Sequence, residues 1–413
     1  MSPPSNTELS SWKEIAAQLG VSVKTAQLWE RDRGLPVRRL PGGRGRVWTD
    51  IAELDSWKRS SSIKFSACPE TSLIRGNRDL WRLGGVILAL MATVLLAAWA
   101  LHEPDPSLVA ADVQGLRAFN ARGSELWRYT SPSALIVERY AEPEQRGLSW
   151  LGDLNADGSP EVLFSPQTHN FGERVLLCLD HRGREQWRFS PGRTVRTMSG
   201  EEFPPPYGVS SVLVLPPGPD GHRRILVVSI HSVYFPAQIA LLDDRGRLLR
   251  EYWHSGHLHR AVLHQFRGRT IALLAGISNA THEGTLIALD PETMGGASKE
   301  QDDRFQLGEG PAGQEVVRHL FPRTCISRAF DAMNQAWHIF ATNDDVIVSV
   351  REQDVPLNHP EILYHFTKEL AFRNAGPSSL FASLHERLRR NGTLDHPLSG
   401  AELASFRPHP SAR

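Results

Sequence analysis

A nine-residue stretch, DLNADGSPE, carries the residue types of a hard-cation site. Asp153, Asn155 and Asp157 alternate along a tight loop. Gly158 permits the bend, and Glu161 can return a carboxylate to the same point. Alternating oxygen ligands around a glycine turn suit Ca²⁺. The stretch therefore predicts one calcium site, the alternative being a turn of Asp, Asn and Gly without metal, and the predicted ligands are Asp153, Asn155, Asp157, Ser159 and Glu161.

Two comparisons within the sequence limit this prediction. An EF-hand loop is disfavoured because its twelfth position is Phe164 instead of glutamate. A related stretch, PPGPDGHRR, has Pro216, Gly218 and Arg224 at the places of two ligands and the returning carboxylate. We expect that second loop to bind no metal. The stretch WHSGHLHRAVLH brings four histidines close in sequence, but hydrogen bonds to the backbone are the favoured role for them.

The calcium stretch lies within a repeat. LRAFNARGSELWRY, LLCLDHRGREQWRF and IALLDDRGRLLREY align on one another, and their turn glycines are Gly123, Gly183 and Gly246. Weaker copies start at Leu286 and Asp345. Each copy reads as a strand, a polar turn and a second strand, which is a β-hairpin. The segments DLNADGSPE and PPGPDGHRR precede two of these hairpins, so the unit predicts a four-stranded blade.

The repeats resemble two known families. The phrase LDxxGxxxW resembles the repeats of pyrroloquinoline quinone-type propellers, and DLNADGSPE resembles the calcium loop of FG-GAP (integrin-type) repeats. The resemblance implies an all-β, propeller-like repeat domain over residues 108–370. Residues 371–413 are predicted to form a C-terminal helix and a tail.

An uncharged segment, residues 83–101, precedes the repeats. Nineteen residues at about 1.5 Å each span roughly 28 Å, close to the thickness of a bilayer core. Arginines precede the segment and acidic residues follow it, so the N-terminal side is expected in the cytoplasm. The segment predicts a single transmembrane helix in a bacterial cell membrane, with the C-terminal domain extracytoplasmic. Residues 61–82 read as a linker.

Residues 1–60 read as two short helices followed by a hairpin and a third helix. Ser11 is a plausible N-cap with Glu14 three residues later, a capping box. Gly20 permits a tight turn, and Ser22 can cap the next helix. This order resembles the winged helix-turn-helix family of the MerR regulators and excisionases. By that resemblance the DNA-binding residues are Lys24, Thr25, Gln27, Leu28, Arg31, Arg44 and Arg46, and the alternative is a protein-docking module.

The distribution of charge indicates that the N-terminal residues differ from the rest of the chain. Residues 1–82 hold 14 Lys and Arg against 9 Asp and Glu, a net charge of +5, whereas the whole chain is neutral. A basic head and an acidic body indicate different partners. Three cysteines are too few for a disulfide framework, although Cys178 and Cys325 would close one bond if they met.

The combined prediction is a multidomain protein: a small α winged helix-turn-helix, a single transmembrane helix and an all-β repeat domain. It indicates a membrane-tethered, one-component regulator or sensor that is not an enzyme. The head would bind DNA, with a homodimer expected, and the propeller would bind an external ligand or partner. The alternative is an extracytoplasmic adhesion or scaffold protein. A quinone-dependent oxidoreductase is the least favoured function because no catalytic cluster accompanies the repeats.

Overall fold

The structure of the protein is a computed structural model. It describes residues 8–39, 47–62, 91, 93, 105–233, 235–308, 310, 312–356 and 359–410. These residues fall into two compact units, divided between Trp99 and Ala100. Strands account for 40% of the described residues and helices for 19%. The described chain is therefore mainly β.

Two capped helices begin the first unit, as the sequence predicts. α1 (Trp12–Leu19) begins at Ser11, whose hydroxyl accepts a hydrogen bond from the backbone N–H three residues later. Gly20 ends α1 in the left-handed conformation, with a φ of 70°. α2 (Val23–Arg33) begins at Ser22, which caps it in the same way. Side-chain caps of this kind satisfy backbone donors that the first helical turn leaves free.

Three short strands and a third helix complete this unit: β1 (Glu8–Leu9), β2 (Arg38–Arg39), β3 (Val47–Asp50) and α3 (Ile51–Ser62). The strands form an antiparallel sheet in the order β1-β3-β2. Apolar side chains from the helices, the sheet and the connecting segments meet in one small core, whose buried members are Ile15, Leu35, Val47 and Leu54.

The first unit differs from the predicted class, a small α winged helix-turn-helix. β1 is an edge strand that the sequence analysis does not predict, and it pairs Glu8 with Asp50 and Leu9 with Thr49. Backbone groups of residues 8–9 and 49–50 are thus paired in a sheet, within a chain that is mainly β. The predicted fold class and the assignment to helix-turn-helix DNA-binding proteins are corrected on this ground.

The second unit is built from short and medium strands. Its first half contains β4 (Leu108–Asp112), β5 (Gly115–Phe119), β6 (Glu125–Thr130), β7 (Ser149–Gly152), β8 (Glu161–Phe164), β9 (Leu176–Leu179), β10 (Glu185–Phe189), β11 (Val195–Arg196), β12 (Glu202–Phe203), β13 (Tyr207–Val214), β14 (Ile225–His231), β15 (Ala237–Leu242) and β16 (Leu248–His254). Its second half contains β17 (Leu258–Phe266), β18 (Arg269–Ser278), β19 (Glu283–Leu289), β20 (Gly296–Ala297), β21 (Val317–Phe321), β22 (Asn334–Ala341), β23 (Asp345–Glu352), β24 (Glu361–Thr367), β25 (Phe372–Pro377) and β26 (His409–Pro410).

The helices of the second unit are short. They are α4 (Pro143–Arg146), α5 (Cys325–Ala329), α6 (Ser379–Arg390) and α7 (Gly400–Ser405). Two 3₁₀ turns, Val137–Tyr140 and Phe171–Glu173, lie beside the strands of the first half. α6 packs its apolar face on the largest core cluster of the unit, in which its buried residues are Phe381, Leu384 and Leu388.

The three predicted hairpins are confirmed, and a packing contact explains their repeat. They are β5–β6, β9–β10 and β15–β16, all antiparallel. Trp127 of the first hairpin lies against Gly183 in the turn of the second, so closely that a Cβ there would be 2.6 Å from the ring. Trp187 of the second hairpin lies in the same way against Gly246, at 2.5 Å. Each tryptophan thus needs the glycine of the next copy, which couples the two repeat positions.

The sheets of the second unit do not repeat as uniform four-stranded blades. Their orders are β4-β5-β6, β10-β9-β8-β7, β11-β12, β13-β14-β15-β16-β20, β17-β18-β19-β21-β26 and β22-β23-β24-β25. Two sheets gain a fifth strand, because β20 pairs in parallel with β16 and β26 pairs with β21. Two others have only three and two strands. Within the described ranges the chain forms seven small sheets. The predicted propeller-like fold class is corrected to this arrangement.

The predicted transmembrane segment, residues 83–101, lies outside the described residues apart from Met91 and Thr93. Among the helices that the structure describes, none has both the length and the apolar character needed to cross a bilayer. This finding contradicts the predicted single-pass fold class and the predicted localisation in a cell membrane.

Candidate functional site: a buried arginine cluster

The single-turn helix α4 places the first charged groups of the site. Pro143 occupies the first helical position, where no backbone N–H is needed, and Gly147 ends the turn with a φ of 56°. Gln145 fixes α4 to β22. Its side-chain amide donates to the Ile339 carbonyl at 2.6 Å and accepts from the Ile339 N–H at 3.1 Å. The carboxylate before α4 and the guanidinium at its end are thereby held in place.

Glu142, the residue before α4, connects two strands. Its Oε2 accepts a hydrogen bond from Nη2 of Arg260 on β17 at 2.5 Å, and its Oε1 lies 3.1 Å from Nε2 of His338 on β22. Burial raises the pKa of Glu142, but the bond to His338 and the charge of Arg260 outweigh it, so the pKa is lowered overall. Glu142 is therefore ionised at neutral pH.

Two guanidiniums lie against the ring of Trp337 on β22. The Arg260 guanidinium carbon lies 4.3 Å from the centre of its ring, and that of Arg351 lies 4.6 Å away. Both distances are within the roughly 6 Å range of cation–π attraction. Arg351 also pairs with Glu361 at 2.6 Å. The indole therefore helps to orient Arg260 at the centre of the site.

Four guanidiniums lie close enough for their charges to interact, and we call them the arginine cluster: Arg139, Arg146, Arg174 and Arg260. Glu142 interacts by charge with two of them, those of Arg146 and Arg260. Burial and the neighbouring charges of Arg260 and Arg139 lower the pKa of Arg146 to about 9. Burial and the charge of Arg139 lower the pKa of Arg174 to about 10. Both values lie above neutral pH, so these side chains keep their charges and repel one another.

Two nitrogens of the cluster reach no hydrogen-bond acceptor among the described residues. They are Nη1 of Arg146 and Nε of Arg260. The two residues are only 8% and 1% exposed. An unsatisfied buried donor costs about 1–3 kcal/mol, and more when it is charged. The arrangement suits an oxygen-rich anion, because guanidinium forks match carboxylate and phosphate groups.

Neighbouring histidines do not add to the positive charge. Burial lowers the pKa of His257 to about 4, and it lowers the pKa of His259 well below its usual range. Both rings are therefore neutral at neutral pH. The other two histidines of this stretch bond backbone carbonyls: His254 contacts Ile277 at 3.1 Å, and His264 contacts Lys368 at 2.7 Å.

The predicted calcium ligands come together in one loop between β7 and β8. The two carboxylate oxygens of Asp153 accept hydrogen bonds from backbone N–H groups, at 2.7 and 2.9 Å. Asn155 donates to the carboxylates of Asp157 and Glu161, at 3.1 and 3.2 Å, and the Ser159 N–H donates to Asp157 at 2.8 Å. The ligand set is assembled, with its oxygens engaged inside the loop. Calcium binding stays a prediction.

Removing one carboxylate tests the calcium prediction. We expect millimolar calcium to raise the melting temperature of the parent relative to chelator, since a ligand of the folded state stabilises it by RT ln(1 + [L]/Kd). Asp157→Ala should abolish the difference because the cation would be under-coordinated. Asp220→Ala, in the related turn that is predicted to bind nothing, is the control. Superimposed melting curves of the parent with calcium and chelator would reduce this loop to an ordinary turn.

The predicted DNA-contact residues lie partly on α2. Lys24, Gln27, Leu28 and Arg31 are exposed there. Thr25 is half-buried, and its hydroxyl lies 2.7 Å from that of the capping serine. The Arg31 guanidinium is paired with the neighbouring Asp32 at 2.7 Å. Arg44 and Arg46 lie outside the described residues.

The arginine cluster was not predicted from the sequence. Its groups come from α4, from the 3₁₀ turns and from β17, and its bridging carboxylate reaches a histidine 196 positions later. No short spacing connects such residues. The local signals are the dipeptides His259–Arg260 and Trp337–His338, each near the start of a strand.

Of the known proteins compared, only solved structures are similar to this chain. No family model matches the chain, and no curated protein matches it. A Bacteroides caccae protein of unknown function is 13% identical with a TM-score of 0.25, over 66% of this chain and 94% of that one. A eukaryotic initiation factor is 12% identical with a TM-score of 0.28, over 67% and 50%. The V. cholerae biofilm matrix protein Bap1 is 10% identical with a TM-score of 0.25, over 68% and 56%. The chain thus spans about half the length of the last two, and similarity this low assigns it to no family.

Proposed function

We propose that the second unit is a ligand-binding domain that takes a small anion, a carboxylate or a phosphate compound, at the arginine cluster. The protein would then act as a sensor whose ligand is recognised by charge. The observation that carries this proposal is the surplus of buried positive charge, with donor nitrogens of Arg146 and Arg260 that have no acceptor among the described residues.

A second buried arginine in the same unit shows what a structural ion pair looks like here. Arg318 is paired with Glu300 at 2.8 Å, and Glu315 lies 3.9 Å away. One guanidinium there meets two carboxylates. Its Nε also reaches no acceptor among the described residues, so the two sites differ in their balance of charge. In the arginine cluster the ratio is reversed, because the guanidiniums of Arg146 and Arg260 share the single carboxylate of Glu142. Charge that serves stability alone is normally paired, because an isolated buried charge is costly.

The free energy lost in the ligand-free state would be regained on binding. An anion at the cluster would offset repulsion among the guanidiniums and supply acceptors for unpartnered donors. Hydrogen bonds between ionised partners are shorter and roughly twice as strong as neutral ones. Affinity should therefore depend on the ligand's charge and on its oxygen geometry.

Melting the full chain with anions tests the proposal. At constant ionic strength, inorganic phosphate or citrate should raise the melting temperature, whereas chloride should not. A ligand at a hundredfold excess over its Kd stabilises by about 2.7 kcal/mol. Phosphate and citrate as separate arms distinguish the two ligand classes. Arg146→Met should remove the response, and Arg304→Met, at an exposed arginine paired with Asp302, should retain it.

The adhesion or scaffold alternative makes a different prediction. A surface that holds a protein partner does not need an internal anion, so neither anion should shift the melting curve. An unchanged curve with both anions would favour that alternative. The predicted DNA partner, homodimer and external protein partner are separate from this proposal and stay predictions.

A further inference from the structure

Four side chains with metal-ligand chemistry meet at the C-terminal end of the second unit. Cys325 begins α5, His385 lies in α6, Glu402 lies in the first turn of α7, and His396 lies in the loop between α6 and α7. One ligand atom from each lies within 4.8 Å of the others. Neither Cys325 nor Cys178 forms a disulfide, so both thiols are free.

Two of these groups are buried without a hydrogen-bond partner among the described residues. His385 is 1% exposed, and its Nε2 forms no hydrogen bond although Oε2 of Glu402 lies 3.4 Å away. The two carboxylate oxygens of Glu402 also form no hydrogen bond, although Oε2 lies within ion-pair distance of His385 and His396. Their surroundings are apolar, since Phe381 and Phe406 pack edge to face beside them with ring centres 6.0 Å apart. Buried imidazoles and carboxylates in proteins are normally hydrogen-bonded or bound to a metal.

The distances between these ligand atoms fit a tetrahedral ion. Oε2 of Glu402 lies 3.4 Å from Nε2 of His385 and 3.3 Å from Nε2 of His396. Zinc binds nitrogen and oxygen ligands at about 2.0–2.2 Å in tetrahedral geometry, which places ligand atoms about 3.4 Å apart. The two measured distances therefore match those around one ion.

We infer that Cys325, His385, His396 and Glu402 bind one Zn²⁺ ion as a structural site. A thiolate and two imidazoles favour zinc over calcium or magnesium, which prefer oxygen ligands alone. Four protein ligands complete the tetrahedron and leave no open position, as in structural zinc sites. Binding replaces the thiol proton of Cys325, which is released to solvent.

A carboxylate outside the ligand set supports this assignment. The Nδ1 of His396 lies 2.7 Å from Asp395, so Nε2 is left for the metal. Carboxylate partners of this kind orient metal-binding histidines in many proteins. The side chain of His396 is 44% exposed, which gives an ion a path from solvent. The ion would join α6 and α7 to α5, and with them the segment that ends in β26.

Metal content and cobalt spectra of the full chain test the inference. After loading with zinc and removal of the excess, we expect one zinc ion per chain. Cobalt in its place should give the visible bands of a tetrahedral site and a thiolate-to-cobalt charge-transfer band. Cys325→Ser should lose the charge-transfer band, and Cys178→Ser, at the other buried free thiol, should keep it. Asp395→Asn should lower zinc affinity by about tenfold, the lower end of the effect of such outer partners.

Histidine variants keep the test decisive if Cys325→Ser fails to fold. His396→Ala removes a partly exposed ring, so it should fold and yet bind zinc at least a hundredfold more weakly. His169→Ala, at an exposed histidine elsewhere in the unit, should bind zinc like the parent. A parent that retains no zinc, or a charge-transfer band that survives in Cys325→Ser, would overturn the inference. The anion response is measured on the metal-free chain, where citrate has no ion to chelate, so either proposal can fail alone.

Discussion

Replacing Arg146 by methionine should stabilise the ligand-free protein, raising its free energy of unfolding by about 1–4 kcal/mol. The guanidinium is buried, and the charges of Arg260 and Arg139 already depress its pKa to about 9. Methionine has a similar length and fills the same space without a charge or an unsatisfied donor. The same substitution should abolish stabilisation by phosphate or citrate, so stability and ligand response should change in opposite directions.

Urea unfolding of parent and variant, in a buffer without multivalent anions, measures the first effect. The midpoint should rise while the slope with denaturant stays the same, because the change concerns the native state. Arg304→Met is again the matched control and should leave the midpoint close to that of the parent. A variant that is less stable than the parent in this buffer would mean that Arg146 serves the fold and would contradict its assignment to a ligand site.

Replacing Glu300 by alanine should have the opposite effect and lower the free energy of unfolding by about 3–5 kcal/mol. The side chains of Arg318 and Glu300 are only 2% and 4% exposed, and they form a hydrogen-bonded pair at 2.8 Å. Glu300 also accepts a hydrogen bond from the Ser298 hydroxyl at 2.9 Å. Removing the carboxylate would leave a buried guanidinium with the more distant Glu315 alone, which cannot replace the short pair.

The same unfolding measurement applies, with a surface ion pair as the control. Glu202 pairs with Arg196, but both side chains are exposed. Exposed pairs contribute little because water screens them and their long side chains lose entropy when ordered. Glu202→Ala should therefore change the midpoint little. If Glu300→Ala and Glu202→Ala lowered the free energy of unfolding equally, the buried carboxylate at position 300 would matter no more to stability than an exposed one.

Local elements were predictable because their causes lie within a few residues. Ser11 and Ser22 cap helices at the expected positions, since a hydroxyl reaches the N–H three residues later. The hairpin repeat was predictable because alternating strands and a turn glycine leave a regular pattern. The contact of Trp127 with Gly183 explains that pattern, but it joins two copies and was visible only in the fold.

The predicted composition of the sheets was wrong because the deciding contacts join residues that are remote in the chain. β26 pairs with β21 although 91 positions separate their aligned residues His319 and Pro410. β1 pairs with β3, although α1, α2 and β2 lie between them in the chain. Short strands such as these carry no periodicity, so their partners depend on which edge the folded chain leaves open. The four-stranded blades and the predicted class of the head, a small α winged helix-turn-helix, were therefore wrong extrapolations from local pattern.

The same distinction between local and long-range contacts applies to the candidate sites. The calcium loop is contiguous, so its residue types and spacing were enough to name Asp153 and Glu161 as partners, and the structure does bring them into one loop. The arginine cluster and the Cys325 site have members separated by tens to hundreds of positions. Whether a guanidinium or a thiol is buried, and which charges surround it, depends on packing between elements that are remote in the chain. Local order thus comes from the sequence pattern, whereas burial and charge balance at these two sites come from the tertiary fold.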